Sequence, residues 1–176
     1  MSEIVQDQQP RQLRSPAVWL ATGLGVGLWF PAPGTAGAAI GCVLAWGIGC
    51  IPGYLWQLAA IVAINLAGVP LATAAGRALG RKKDDQAIIF DEIASLPVVF
   101  LLTPLTGWTV GLLGFALHRF FDIWKPPPAR QIERLPDGLG VMADDWVAAI
   151  YAAVALYLLA WFDEWSSLAV FSLASG

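Results

Sequence analysis

Two adjacent acidic pairs define the chemistry available to this chain. Asp91 and Glu92 interrupt the apolar run Ile88-Ile-Phe-Asp91-Glu92-Ile-Ala-Ser95-Leu96, and Asp144 and Asp145 follow Gly138-Leu-Gly140-Val-Met-Ala. Between the pairs, Arg119 and Asp122 share a helix face at three-residue spacing, with Lys125 and Arg130 close behind. A carboxylate at the centre of a membrane helix costs about 2.5 to 3.5 kcal/mol on insertion scales, while each Leu or Ile returns only about 0.3 to 0.6 kcal/mol. Such groups persist when they pair with cations, bind metal or line a polar cavity. Adjacent helical residues point about 100° apart, so each pair sends one carboxylate inward as a ligand and leaves the other to bridge or orient. Hard oxygen donors from three helices, with no Cys pair and one His, suit Mg²⁺ or Ca²⁺ rather than zinc. Mg²⁺ with a phosphate-bearing substrate is the natural case, since that ion keeps waters and favours phosphate oxygens.

Each residue also has a plainer reading. Asp144 and Asp145 could be acids favoured by the dipole at the head of a helix, and Arg119 with Asp122 a structural ion pair. Asp84 and Asp85 read as helix caps, and the basic run from Arg77 to Lys83 as a lipid-headgroup patch. His118 reads as a hydrogen-bonded packing residue or a proton shuttle. Cys42 and Cys50 lie too far apart along one helix for a disulfide and read as packing residues. The Gly37 to Gly41 spacing reads as a close helix contact. The functional reading rests on conjunction, because five acids and three bases gather at membrane boundaries on one face.

The elements that must carry these residues are set by composition. Hydrophobic residues make up 57% of the chain and charged residues 13%, against roughly 25% charged in a soluble domain, which predicts an integral membrane protein. The fold class expected is all-α: a polytopic membrane bundle of about four spanning helices plus a short, partly inserted N-terminal helix. Residues 1–16 read as a cytoplasmic tail without a removable signal peptide, and 17–176 as a single membrane-embedded domain. Pro31-Ala-Pro33-Gly34-Thr35, Ile51-Pro52-Gly53 and Thr103-Pro104-Leu-Thr106-Gly107 break the apolar stretches. Helices are therefore expected over 17–30, 36–51, 54–75, 86–102, 108–124 and 143–162. All ten Lys and Arg fall near 11–14, 77–83 and 119–134, which the positive-inside rule makes cytoplasmic. With the hairpin turn at Pro104, Thr35, Asp91, Asp122 and Asp144 approach the cytoplasmic interface together.

Four motifs, in order and spacing, carry a resemblance: Pro31-Ala-Pro33-Gly34-Thr35-Ala-Gly37; Phe90-Asp91-Glu92-Ile93; Arg119-Phe-Phe-Asp122-Ile-Trp-Lys125-Pro126; and Gly138-Leu-Gly140-Val-Met-Ala-Asp144-Asp145. Together they resemble the phosphatidylglycerophosphatase A family from about Trp19 to the final helix. The resemblance implies a Mg²⁺-dependent lipid phosphatase of the bacterial inner membrane that converts phosphatidylglycerophosphate to phosphatidylglycerol. Ser95 stands where that pattern leads one to expect glycine, and Pro127 where it leads one to expect an aromatic residue.

Physical chemistry supports the same reaction. A phosphate monoester carries two negative charges, so its hydrolysis calls for a cation cluster and a positioned water. Asp91, Glu92 and Asp144, helped by Asp145 and Asp122, are expected to hold the metal. Arg119, Lys125 and Arg130 are expected to clamp the phosphate, and the Gly34 and Thr35 amides to offer an anion site. In-line attack by water assisted by a non-ligating carboxylate is expected, with an aspartyl-phosphate as the alternative. The rival classes are a CDP-alcohol phosphotransferase, whose Asp-Gly-x2-Ala-Arg opening is absent, and a small ion-coupled transporter. The partners expected are the lipid substrate and the lipid bilayer, with no nucleic acid, and the oligomeric state is left open.

Overall fold

Proline and glycine place most of the helix boundaries. The computed structural model describes residues 15–80 and 86–166, so the expected tail up to residue 14 and the proposed caps Asp84 and Asp85, with Arg81, Lys82 and Lys83, lie outside the described residues. The helix expected over 17–30 is instead two short pieces, α1 (Pro16–Ala21) and α2 (Val26–Trp29). Gly23, Leu24 and Gly25 between them take φ values of 58°, 58° and 93°, a left-handed run that no helix can carry. Helix α3 (Pro33–Gly49) begins three residues before the expected start, with proline in its first turn. Helix α4 (Tyr54–Leu79) runs on past residue 75, through Pro70, to a left-handed cap at Gly80.

The helix expected over 86–102 contracts to α5 (Phe90–Val99). Ile88 and Ile89 are buried in non-helical backbone, where the Ile89 amide donates to the Ala21 carbonyl at 2.9 Å. Helix α6 (Trp108–Trp124) follows the Pro104 turn as expected and is closed by Lys125 in the left-handed region at φ 48°, ahead of three prolines. A short α7 (Ala129–Ile132) interrupts the expected polar loop.

Helix α8 (Asp137–Ser166) starts six residues before the expected position, which corrects the placement of the second acidic pair. Asp144 and Asp145 sit about two turns inside the helix, so capping its N-terminus does not account for them. The earlier start is stabilised against α4: the Gly138 amide donates to Thr73 Oγ1 at 3.0 Å, and a Cβ on Gly138 would strike the Val69 carbonyl.

Short, buried α5 packs against α3, α4 and α8, and α6 lies mainly against α8. The Gly37 and Gly41 contact is as expected, since a Cβ on Gly41 would come within 2.8 Å of Leu96 Cβ. Asn65 ties α4 to α5 by donating to the Ala94 carbonyl at 2.8 Å. Leu96, Val99, Val110, Ala149 and Leu156 fill the centre. Outward-facing Val43, Leu66, Leu112, Val154 and Leu158 are exposed, a surface suited to lipid. Among the described residues there is no strand, and two helices, α4 and α8, are long and apolar enough to cross a membrane; α3 is apolar but shorter. The two ends of the bundle differ in kind. Residues around Cys50, Tyr54, Pro104 and Thr106 line one cavity, and the charged motifs line another.

Candidate active site

The charged motifs converge on a cavity of about 480 Å³. Helix α5 presents Asp91 and Glu92 in its first turn, and α8 presents Asp145 from its buried side. One carboxylate oxygen from each of these three residues lies within 4.8 Å of the other two. Asp91 Oδ1, Glu92 Oε2 and Asp145 Oδ2 are buried without a hydrogen-bond partner among the described residues. Buried polar atoms of that kind are costly unless something meets them, and three hard, anionic oxygens at this spacing fit a divalent cation. The 100° offset between neighbours on α8 then explains Asp144. Its Oδ2 accepts from Lys125 Nζ at 2.8 Å, and its Oδ1 has no hydrogen-bond partner among the described residues.

The cationic side of the cavity comes from α6 and its cap. Arg119, with its side chain 18% exposed, donates from Nη1 to Asp122 Oδ2 at 2.6 Å and lies 3.6 Å from Glu92 Oε1. The Arg119 Nε atom is buried and has no hydrogen-bond partner among the described residues. Lys125 is aimed inward by the left-handed cap and pairs with Asp144 and, at 3.4 Å, with Glu133. Burial works against its charge, yet the hydrogen bond and charge of Asp144, backed by Glu133 and Asp122, hold the ammonium above its ordinary range.

Gly34 and Thr35 complete the wall. They lie in the first turn of α3, where amides have no acceptor within the helix. A Cβ on Gly34 would collide with Glu92 Oε1 and come within 3.0 Å of both terminal nitrogens of Arg119, so a bare backbone is what lets α3 approach the charged groups.

The structure therefore brings together Gly34, Thr35, Asp91, Glu92, Arg119, Asp122, Lys125, Asp144 and Asp145. Arg130 is not among the lining residues; it is exposed and donates to the Trp124 carbonyl at 3.3 Å. Glu133 and Gln86 line the cavity and were not foreseen. Glu133 sits in a polar stretch with no helical periodicity, and its only sequence signal is a lone acid beside a basic cluster. Ser95 and His118 form a buried pair behind the site, with Oγ 3.0 Å from Nε2, so the serine fills a packing position with a polar partner.

The chain matches the family described as phosphatidylglycerophosphatase A over residues 19–160. It is 36% identical to phosphatidylglycerophosphatase A of Haemophilus influenzae over 148 residues, covering 84% of this chain and 90% of that protein. It is 30% identical to the Escherichia coli protein of the same name over 149 residues, covering 84% and 86% respectively. A Bacteroides thetaiotaomicron protein provisionally named phosphatidylinositol-3-phosphatase is 32% identical over 151 residues, covering 82% and 93%. No solved structure matches. With most of its length and all four motifs inside the matched region, the chain belongs to the phosphatidylglycerophosphatase A family and is a hydrolase of phosphoric monoesters.

Proposed function

We propose that the protein is a Mg²⁺-dependent phosphatidylglycerophosphate phosphatase of the bacterial inner membrane, releasing inorganic phosphate and phosphatidylglycerol at the cytoplasmic face. The observation that carries this reading is the carboxylate triad of Asp91, Glu92 and Asp145, each with one buried oxygen that has no hydrogen-bond partner among the described residues, facing Arg119 and Lys125 across one cavity. Asp91, Glu92 and Asp145 would hold Mg²⁺, which when bound supplies charge neutralisation for the phosphate and activation of water. Arg119 binds two phosphate oxygens with its planar fork, Lys125 meets the remaining charge, and the Gly34 and Thr35 amides point at the same group. Asp144, outside the triad and with Oδ1 accepting no hydrogen bond among the described residues, takes the proton of the attacking water. As the new P–O bond forms opposite the glycerol oxygen, the old P–O bond breaks and the departing oxygen takes a proton from solvent.

In this reading α3, α4, α6 and α8 are the four long membrane helices. Short α5 is inserted among them with Asp91 and Glu92 at the headgroup level. The ion pair between Arg77 and Asp137 lies at the charged end and supports a common cytoplasmic face for the basic segments.

Phosphate release from phosphatidylglycerophosphate in mixed micelles, with and without chelator, tests the proposal. Rapid release that stops in chelator and is restored best by Mg²⁺ is expected; full activity of metal-stripped enzyme in excess chelator refutes the metal assignment. Preferential cleavage of phosphatidylinositol 3-phosphate would reassign the headgroup, and solute uptake into vesicles without phosphate release would favour a transporter.

A further inference from the structure

The charged cavity is followed along two helix faces by an apolar groove of about 680 Å³. On α3, Thr35 lines the cavity, and Ala39, Val43 and Trp46 line the groove at successive steps of four, four and three residues. On α6, Arg119 lines the cavity, and Phe115, Leu112 and Trp108 line the groove at steps of four, three and four. Those spacings keep each set on a single stripe of its helix, so the groove leads away from the phosphate-binding residues along the same seam. The chain around Leu105 and Gly107 closes its far end.

We propose that this seam binds one acyl chain of the phosphomonoester lipid whose headgroup occupies the charged cavity; the proposal rests on the function proposed above. Three observations favour that occupant. The lining offers almost nothing to a polar ligand, since Thr106 and Cys42 supply the side-chain heteroatoms apart from the two indoles. From Thr35 to Trp46 the helix rises about 16 Å, so the lining forms an elongated seam that suits an extended chain better than a compact ligand. Val43 and Trp46 on one wall and Trp108 on the other are 69%, 63% and 70% exposed, so the groove opens sideways to the bilayer and a lipid enters without leaving it. The second acyl chain stays in the bilayer. Gly111 keeps the floor low, with room for a Cβ only at 3.1 Å from Leu105 Cδ1.

Chain-length dependence is the test. Ala39 and Val43 are exposed, so Ala39→Trp and Val43→Trp fill the groove without entering the core, and Val154→Trp on exposed α8 surface serves as the control. For a dipalmitoyl phosphatidylglycerophosphate substrate the two groove variants are expected to raise KM at least about tenfold with kcat little changed. For the soluble dihexanoyl analogue they should keep kcat/KM within about threefold of wild type, and Val154→Trp should leave both substrates unaffected. Equal losses on both substrates, or no loss on either, would overturn the acyl-chain site while wild-type activity still upheld the proposed function. A wild-type enzyme inactive on both chain lengths would overturn both. Should the tryptophan variants not fold, N-ethylmaleimide alkylation of Cys42 in a Cys50→Ser background decides the matter. A dipalmitoyl phosphonate analogue should slow it several-fold and glycerol 3-phosphate should not; no protection by the long-chain analogue refutes the site.

Discussion

Asp145→Asn separates a cation site from a structural acid cluster. The triad oxygens lie within 4.8 Å of one another, and at an effective dielectric constant of about 20 two unit charges at that distance repel by about 3.5 kcal/mol. Asp145 takes part in two such pairs. Arg119, 3.6 Å from Glu92, and solvent at the cavity mouth offset much of this repulsion. Replacing one carboxylate by its isosteric amide in metal-free protein should therefore stabilise the fold by about 1 to 2 kcal/mol, helped by new N–H donors for its neighbours. For a protein of this size that corresponds to a rise in Tm of about 2 to 8 °C in chelator. Wild-type protein should gain about 2.7 kcal/mol from Mg²⁺ at a hundredfold excess over its Kd, and the variant far less, so Mg²⁺ should reverse their order of stability. Thermal unfolding in detergent, run in chelator and in Mg²⁺, reads the effect, and kcat should fall by about 10² or more. A variant less stable than wild type in chelator, yet showing the full Mg²⁺ shift and wild-type kcat, would refute the reasoning.

Arg119→Lys keeps charge but loses the planar fork, so kcat/KM should fall by about 10²-fold with the fold intact by thermal unfolding. Arg130→Ala, by contrast, should stay within about twofold of wild type, because that side chain is exposed and turned to the Trp124 carbonyl. Gly34→Ala inserts a methyl against Glu92 and Arg119; steady-state kinetics should show at least a tenfold loss in kcat/KM. For the membrane arrangement, single cysteines at Arg77 and Arg134 in a Cys-free background should label from the cytoplasmic side alone, and one at Thr106 from the opposite side. Labelling of positions 77 and 134 from opposite faces would dismantle the common site.

The site was more legible in the sequence than its scaffold. Charged residues in an apolar chain have few reasons to exist, so Asp91, Glu92, Arg119, Asp122, Asp144 and Asp145 stand out by type and context, and Pro104 marks the turn that returns α6 to them. The sequence reading put Asp144 beside Asp91 and Glu92 with Asp145 in support, whereas an Asp145 oxygen is the one that gathers with theirs. Helix ends were harder, because tertiary contacts override local signals there. Gly138-Leu-Gly140 reads as a loop, but Gly138 is packed against Val69 and Thr73, which carries α8 back to Asp137. Ile88 and Ile89 read as helix, but the Ile89 amide is bound to Ala21, a partner that lies 68 positions earlier in sequence. The division of labour between Asp144 and Asp145 was equally hidden. Their 100° offset is evident from sequence, but which one meets Lys125 depends on how α8 is rotated against α5.

That division has a consequence for biosynthesis. Two triad carboxylates come from α5 and the third from α8, about fifty residues further along the chain. At ordinary translation rates of about 5 to 20 residues per second, some seconds pass between the emergence of Glu92 and that of Asp145. Over that interval the nascent chain holds Asp91, Glu92 and later Arg119 without the means to complete the carboxylate triad or to engage Lys125 through Asp144. With the triad acting as proposed, hydrolytic competence arrives with the docking of α8, and a chain whose synthesis stalls before residue 145 is expected to be inert toward the lipids around it.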